Sequence, residues 1–153
     1  MKLISDATAE KLRGGFYTPE PIAEFILRWG INGSTEHDIL EPSCGDGVFL
    51  EQIRKHNFKY KSITAIELDE AEAEKASKII LDCAQIINSD FHTYCNNTLQ
   101  KFNLIIGNPP YIRYQFFDRR QQIEAADIFI KAGLTYSKLT NAWVSFVVGS
   151  SLL

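Results

Sequence analysis

The chain has 153 residues, of which 45% are hydrophobic and 23% are charged, and this composition predicts one folded domain with a single core. A formal net charge of −3 excludes a protein that is basic over its whole surface, so any contact with nucleic acid must be a local patch. The three cysteines show no CxxC spacing, which predicts reduced thiols in a cytoplasmic protein and neither a disulfide framework nor a metal site. The sequence shows no signal peptide and no run of about 20 apolar residues that could span a membrane.

Helical and strand patterns alternate along the chain. The first helix is predicted at residues 19–29, where apolar residues recur at helical spacing: Ile22, Phe25, Ile26 and Trp29. Prolines at its start cost no hydrogen bond, because the first N–H groups of a helix have no partner. Further helices are predicted at 45–56, 70–82 and 124–139, and strands at 37–42, 61–69, 84–90, 102–108 and 142–153.

Strands that alternate with helices indicate a mostly parallel sheet with helices on both faces, which is a doubly wound α/β fold. Near-continuous apolar runs in the fourth and fifth strands agree, because strands of such a sheet are buried on both sides. Ligands bind beyond the carboxyl ends of these strands, near the switch in strand order. We therefore expect four segments to meet at one edge of the sheet: 41–47, 67–69, 90–91 and 108–111.

The turn after the first predicted strand reads LEPSCGDGVF. Gly45 and Gly47 allow a close approach of the backbone to a ligand. Glu41 and Asp46 would repel a diphosphate, so the turn differs from a GxGxxG phosphate cradle and suits a ligand with a positive end, such as an ammonium or a sulfonium. An ordinary strand-to-helix turn is the alternative interpretation.

Glu67 ends the second predicted strand, and Asp90 ends the third. Glu67 could accept hydrogen bonds from a ribose, as an acid does in dinucleotide-binding folds. Asp90 could accept one from an adenine amino group, with Phe91 against the ring. The alternatives are a helix cap at Glu67 and Asp69 and a simple turn at Asp90. Together with the acidic turn, these groups outline a nucleoside with a charged amino acid tail, a description that fits S-adenosylmethionine.

The segment GNPPY follows the fourth predicted strand. An adenine amino nitrogen is a poor nucleophile, because its lone pair is delocalised into the ring. The Asn108 side-chain oxygen and the Pro109 carbonyl could accept its two N–H bonds and expose the lone pair, and Tyr111 offers a face for a base taken out of the helix. Positioning and polarisation would suffice, since a sulfonium already activates the methyl group. A bare turn is the alternative.

The segment GGFYTPEP near the amino end completes the pattern. Gly14 and Gly15 would form a hinge, and free N–H groups where Thr18 and Pro19 open a helix could bind the carboxylate of the donor. A helix with Thr18 as its N-cap is the simpler interpretation.

With the motifs GGFYTP, LEPSCGDGVFL, AIELD, NSDF and FNLIIGNPPY in this order, the chain resembles the N6-adenine-specific DNA methyltransferases of restriction–modification systems. The resemblance implies a Rossmann-like fold, S-adenosylmethionine as the cofactor, no metal, and transfer of a methyl group to N6 of adenine in DNA. It implies a catalytic site formed by Asn108, Pro109, Pro110 and Tyr111. It also implies donor contacts from the following residues: Tyr17, Thr18, Pro19, Glu41, Pro42, Cys44, Gly45, Glu67, Leu68, Asp90, Phe91 and Asn108.

Two later segments extend the resemblance. DIFIKAGL is similar to the fifth motif of the family, which implies that Asp127 and Phe129 contact the donor or shape its pocket, although helical spacing alone places Phe129 in the core. AWVSFVVGSSLL is similar to the sixth motif and coincides with the predicted fifth strand.

The chain departs from the family in two respects. Asn103 stands where the family has Asp, just before the strand of the catalytic motif. Family members continue with more strands and a target recognition domain, so residues 1–153 resemble the first part of one catalytic domain, truncated after its fifth strand. A sheet cut there would leave an open edge and uncovered apolar surface, which predicts self-association or a partner chain.

The segment YIRYQFFDRRQQ interleaves basic and aromatic residues. Tyr111, Arg113, Arg119 and Arg120 could contact phosphates and a flipped base. A solvated loop over a partly buried aromatic cluster is the alternative. Without a recognition domain, we expect binding to DNA to be weak and unspecific.

Two other functions fit part of the pattern. A protein methyltransferase that acts on a glutamine amide would use a similar NPPY, but GGFYTP and the acidic EPSCGDG turn argue against it. A non-catalytic module that holds the donor, or that serves only in assembly, is also compatible with intact Asn108 and Tyr111.

Overall fold

Four parallel strands form the centre of the structure, a computed structural model that describes residues 17–33, 37–113, 116–137 and 141–153. The strands are β1 (Asp38–Glu41), β2 (Ser62–Glu67), β3 (Ala84–Asn88) and β4 (Leu104–Ile105). Their order in the sheet is β3-β2-β1-β4, and each neighbouring pair is parallel. The strand order therefore switches between β1 and β4. The predicted hinge at Gly14 and Gly15 lies outside the described residues.

Helices cover both faces of this sheet. One face carries α1 (Glu20–Ile31), α2 (Val48–His56) and α3 (Glu70–Ser77), and the other carries α4 (Phe91–Asn97), α5 (Arg119–Lys131) and α6 (Ala142–Ser150). The side-chain carboxylates of Asp69, Asp90 and Asp118 accept backbone N–H groups at the starts of α3, α4 and α5. The sequence patterns did not predict α4, for which the N-cap residue Asp90 is the local signal. The predicted doubly wound α/β fold is confirmed.

Alternation of side chains along the strands builds two cores. In β1, Ile39 packs with Leu27 of α1 and Phe49 of α2, whereas Leu40 packs in a second buried cluster with Ile128 of α5. Successive strand residues point to opposite faces, so a four-residue strand contributes to both clusters. The strands are therefore buried on both sides, as the apolar runs in the sequence predicted.

Helix α1 turns a different face to the core from the one that its apolar spacing predicted. The side chains of Ile22, Phe25 and Trp29 are 50%, 68% and 80% exposed. The buried stripe consists of Ala23, Leu27 and Ile31. Both stripes have helical spacing, so periodicity alone does not choose between them. Ion pairs from α1 to α2, such as Glu20 to Lys55 at 3.1 Å, accompany the packing of the smaller stripe against α2.

The predicted fifth strand is wrong, because residues Ala142–Ser150 form helix α6. Its buried residues recur at helical spacing: Ala142, Ser145, Phe146 and Gly149. A Cβ at Gly149 would lie 3.0 Å from Cε1 of Phe91 and 3.3 Å from Sγ of Cys95, so the glycine allows α6 to approach α4 closely. Packing on α4 outweighs the strand preference of the valines in this segment.

Two further sequence predictions concern thiols and membranes. Cys44, Cys83 and Cys95 are free thiols, as predicted. Among the helices of the described segments, none combines the length and the apolar character that crossing a bilayer requires.

We expect Gly47→Ala to destabilise the fold more than Gly33→Ala does. Both glycines have positive φ, +92° and +74°, so alanine is strained at either position. At Gly47 an added Cβ would also lie 2.6 Å from Cδ1 of Ile79 and 3.3 Å from the Ala76 backbone, whereas no described atom lies within 4 Å at Gly33. Urea unfolding should give losses of about 1 kcal/mol for Gly33→Ala and roughly 2–4 kcal/mol for Gly47→Ala. Equal losses would contradict close packing of this turn on α3.

Candidate active site

A cleft of about 480 Å³ opens at the carboxyl edge of the sheet, next to the switch in strand order. The predicted donor contacts that line it are Tyr17, Pro42, Gly45, Glu67, Leu68, Asp90, Phe91 and Asn108. The predicted contacts that do not line it are Thr18, Pro19, Glu41 and Cys44. Lining residues that the sequence did not single out for a donor are Ser43, Asp69, Glu72, Ser89, His92, Pro110, Ile112, Phe116, Phe117, Gln121 and Phe146.

Glu67 is held at the end of β2 by two backbone donors. Its Oε2 accepts from the Gly45 N–H at 2.8 Å, and its Oε1 accepts from the Asp69 N–H at 2.8 Å. The first contact ties β2 to the turn after β1, and the positive φ of Gly45, +56°, presents its N–H to the carboxylate. The helix cap at this point is Asp69, not Glu67. Glu67 is therefore a fixed acceptor at the mouth of the cleft.

Glu41, the last residue of β1, is buried behind the cleft with 2% of its surface exposed. Among the described residues, its Oε2 has no hydrogen-bond partner. Burial raises the pKa of Glu41 well above its usual range, and the nearby carboxylates of Glu67 and Asp46 raise it further. Burial and the carboxylate of Glu72 also raise the pKa of Asp46. This end of the cleft therefore has an excess of negative charge, which a cation would relieve.

Asp90 marks the opposite end of the cleft and caps α4. Its Oδ1 accepts from the N–H groups of His92 and Thr93 at 2.8 Å and 3.2 Å, and its Oδ2 accepts from Nε2 of Gln121 at 3.0 Å. Burial by itself would raise the pKa of Asp90. The contacts with the His92 side chain, the Gln121 amide and the Thr93 N–H have the larger combined effect and lower this pKa from 3.8 to about 2. Asp90 is therefore an ionised acceptor at neutral pH.

The GNPPY segment continues from β4 into the same cleft. Oγ of Ser43 donates to the Asn108 carbonyl oxygen at 3.3 Å, which joins the turns after β1 and β4. A Cβ at Gly107 would lie 3.3 Å from Cδ of Pro42, so glycine permits this close approach. Asn108 and Pro110 line the cleft together with Glu67 and Asp90, whereas the ring of Tyr111 is 55% exposed beside it. Two of the four predicted catalytic residues, Asn108 and Pro110, thus share one cavity with predicted donor contacts, whereas Pro109 and Tyr111 are not part of its lining.

A family model for the N-6 DNA methylases matches residues 3–150. The chain belongs to the N-6 DNA methylase family. The chain is 36% identical over 121 residues to the type II methyltransferase M.CvrRI of Paramecium bursaria Chlorella virus XZ-6E, with 72% of this chain and 30% of the relative covered. It is 31% identical over 136 residues to the type II methyltransferase M.AccI of Acinetobacter calcoaceticus, with 88% of this chain and 24% of the relative covered. The chain spans less than a third of the length of these relatives.

Two solved structures of methyltransferases have a similar fold and little sequence identity to this chain. The protein lmo1582 of Listeria monocytogenes, assigned as a class I S-adenosylmethionine-dependent methyltransferase, has a TM-score of 0.62 at 14% identity, over 86% of this chain and 40% of its own. PH1948 of Pyrococcus horikoshii, assigned as an RNA methyltransferase, has a TM-score of 0.58 at 14% identity, over 88% of this chain and 56% of its own. Both matches agree with the predicted Rossmann-like methyltransferase fold.

Several predicted donor residues lie outside the lining of the cleft. Pro19, not Thr18, stands at the N-cap of α1, and its carbonyl oxygen accepts from the N–H groups of Ile22 and Ala23. Cys44 is buried, and burial raises the pKa of its thiol, as do the neighbouring carboxylates of Glu41 and Glu67. The thiol is therefore protonated, and the Cys44 side chain packs in the hydrophobic core.

The residues of the fifth motif also lie outside the lining of the cleft. Asp127 is exposed on α5. Phe129 is buried, with its ring centroid 4.8 Å from that of Tyr136, as its helical spacing indicated. At the other end of β4, Asn103 replaces the family's Asp and still makes a supporting contact, since its Oδ1 accepts from the Asp38 N–H at 3.0 Å.

The predicted DNA-contacting arginines are exposed around the cleft. The backbone of Arg113 forms an isolated antiparallel bridge with Asn141. Arg119 begins α5, and Arg120 pairs with Glu124 at 2.9 Å. Part of the local positive charge is thereby neutralised. Within the described residues, no group of three or more metal-ligating side chains is gathered in one place.

We expect Glu41→Gln to stabilise the fold at neutral pH, because it removes a buried acid whose ionisation burial disfavours and whose Oε2 has no hydrogen-bond partner among the described residues. The folded-state pKa of Glu41 is raised, so the stability that its protonated form provides is present below about pH 4 and is lost as the pH rises through the folded pKa. Thermal unfolding at pH 8 should show a Tm about 2–6 °C above that of wild type, and the difference should shrink near pH 4.

Glu74→Gln is the matched control, since the Glu74 carboxylate is 70% exposed and pairs with Lys78 on the surface. It should leave Tm nearly unchanged at both pH values. A Tm for Glu41→Gln below that of wild type at pH 8 would contradict the burial of an unpaired carboxylate.

Proposed function

We propose that this cleft binds S-adenosylmethionine and that the chain provides the donor-binding and catalytic part of a site-specific DNA methyltransferase of a restriction–modification system. The transferred methyl group would go to N6 of adenine. The observation that carries the proposal is that Glu67, Asp90 and Asn108 line one cleft in a member of the N-6 DNA methylase family. The names of M.CvrRI and M.AccI, both type II methyltransferases, support the restriction–modification setting.

The charges of the cleft fit the donor. Glu41 has a buried oxygen without a hydrogen-bond partner among the described residues, and the carboxylates of Asp46 and Glu72 lie nearby, which suits the sulfonium and ammonium groups. Glu67 would accept from the ribose hydroxyls, and Asp90 would accept from the adenine amino group. Tyr17 would cover the methionine end, because its ring lies against Gly45 in the lining of the cleft. When bound, the donor supplies an activated methyl group.

The residues of GNPPY would prepare the target amine. The Asn108 side-chain oxygen and the Pro109 carbonyl oxygen accept its two N–H bonds, which favours the pyramidal nitrogen and exposes the lone pair. The exposed ring of Tyr111 stacks on the target base after it leaves the helix. No general base is needed for this step. Arg113 and Arg119, both exposed, would contact DNA phosphates, and binding to DNA through so few charges should be weak and unspecific.

A titration of S-adenosylmethionine into the chain by calorimetry tests the donor site. We expect saturable binding by wild type and binding about tenfold weaker, or lost, in Glu67→Ala, because a fixed acceptor for the ribose is removed. Glu70→Ala is the matched control, since Glu70 is an exposed acid in the first turn of α3 outside the cleft. It should bind like wild type. A folded wild-type chain that binds no donor would contradict the proposal and favour a module that serves in assembly.

A transfer assay with tritiated donor and DNA lacking N6-methyladenine tests the catalytic residues. We expect label in N6 of adenine with wild type, and at least about 100-fold less with Asn108→Ala, because an acceptor for the developing charge is lost. Because Asn108 is also a predicted donor contact, the donor affinity of Asn108→Ala is measured by the same calorimetric titration and transfer is compared at saturating donor, which separates transfer from donor binding. Transfer that survives this substitution would exclude the proposed role of Asn108.

We further propose that the protein is cytoplasmic, because its cysteines are free thiols.

We also propose that the protein associates with a second copy of itself or with a partner chain. Within the described residues, β4 pairs only with β1, so one edge of the sheet is open. Light scattering should show association of wild type, reduced in the double variant Phe25→Glu and Trp29→Glu. Leu99→Glu, a substitution at an isolated residue that is 95% exposed, should leave the association unchanged. A monodisperse wild-type monomer would contradict this proposal.

A further inference from the structure

His92 is a buried side chain between the cleft and α6. Only 2% of its surface is exposed, and it lies in the first turn of α4 directly behind Asp90. Its Nδ1 is 3.1 Å from Oδ1 of Asp90, and its Nε2 is 2.7 Å from Oγ of the equally buried Ser145. The ring centroids of Phe117 and Phe146 lie 5.5 Å and 5.2 Å away in edge-on geometry. The imidazole is therefore held from several sides in one orientation.

The hydrogen-bond partners of the imidazole determine which ring nitrogen carries the proton. Asp90 is ionised, so its Oδ1 can only accept, and Nδ1 of His92 must carry the proton of this contact. The Ser145 hydroxyl also lies 2.7 Å from the Ala142 carbonyl oxygen, so it can donate there and accept from Nε2, or donate to Nε2 instead. Both arrangements keep Nδ1–H directed at Asp90.

The two oxygens of Asp90 are thereby divided between two tasks. Oδ1 receives the two N–H groups of the α4 cap and the His92 ring. Among the described residues, Oδ2 receives only the Gln121 amide, whose own oxygen accepts from the Asp118 N–H at 3.1 Å. A carboxylate oxygen can accept two hydrogen bonds, so Oδ2 retains the capacity to accept another from a ligand in the cleft.

We propose that His92 is a positioning residue for the donor: its Nδ1–H holds Asp90 in the orientation in which Oδ2 accepts a hydrogen bond from the exocyclic amine of the donor's adenine. The inference rests on the proposed function, because it assumes that a nucleoside with this amine occupies the cleft. Without the ring, the Asp90 carboxylate would lose a charge-assisted hydrogen bond and keep the two backbone N–H groups on Oδ1 and the Gln121 amide on Oδ2, so its orientation would be less restricted. His92 would then select for the amine, and not for the donor in general.

Two substitutions separate the two nitrogens of the ring. His92→Gln places an amide near Nε2 and leaves no donor at Nδ1, whereas His92→Asn places its amide nitrogen near Nδ1. Each variant is titrated with S-adenosylhomocysteine and with its 6-deamino analogue, in which hydrogen replaces the exocyclic amine. His56→Gln, at a partly exposed ring on α2 that lies outside the cleft, is the control.

We expect wild type to prefer the amine-bearing ligand by about tenfold, because one hydrogen bond to a charged acceptor distinguishes the ligands. His92→Gln should weaken the amine-bearing ligand about five- to tenfold and the analogue less than about twofold, so that the preference is lost. His92→Asn and His56→Gln should keep it. Equal weakening of both ligands by His92→Gln would show a merely structural role and overturn the inference.

The remaining outcomes of these titrations also test the inference and the proposed function. Wild type that binds both ligands equally well would overturn the inference and leave donor binding intact, whereas wild type that binds neither would overturn the proposed function and the inference with it. If His92→Gln does not fold, long-range ¹H–¹⁵N correlation spectra of the wild-type imidazole provide a measurement without a substitution. A protonated Nδ1 at pH 7 is expected, and an unprotonated Nδ1 would overturn the inference.

Discussion

Parallel strands that lie side by side end at the same edge of a sheet, and the candidate site depends on this constraint at β1 and β4. The strands deliver Pro42 and Gly107 to adjacent positions, and a hydrogen bond from Ser43 to the Asn108 carbonyl joins segments 65 residues apart in the chain. The glycine is needed because a side chain at this position would press against the proline ring. The acidic turn and the GNPPY segment therefore share one cleft as a consequence of strand order.

The electrostatics at the acidic end of the cleft oppose the stability of the fold. A buried Glu41 with an oxygen that lacks a partner among the described residues costs folding free energy, and the neighbouring acids Glu67 and Asp46 increase the cost. A protein selected for stability alone would place an apolar residue there. The same negative charge gives a cationic group a favourable place to bind. The cost at this position is therefore itself an argument for a ligand with positive charge.

Asp90 serves both the fold and the cleft. Its Oδ1 caps α4 and lies 3.1 Å from Nδ1 of the His92 imidazole, its Oδ2 accepts from the Gln121 amide, and the residue lines the cleft. Gln121 in turn belongs to the capping box that begins α5 at Asp118, directly after the aromatic segment that follows GNPPY. The starts of α4 and α5 are thus connected by hydrogen bonds through Gln121.

The sequence by itself determined four of the five predicted strands, their parallel arrangement with covering helices, and the turns that carry Glu67, Asp90 and Asn108, because these features depend on local patterns and on strand ends. The tertiary structure decided which apolar stripe of α1 is buried, since both stripes have helical spacing and packing on α2 selects Ala23 and Leu27. Residues Ala142–Ser150 form a helix despite the strand preference of their valines, because close packing on α4 stabilises the helix. The sequence did not indicate the contacts of His92, because its partner Ser145 is 53 residues away in the chain and only the packing of α4 against α6 brings the two side chains together.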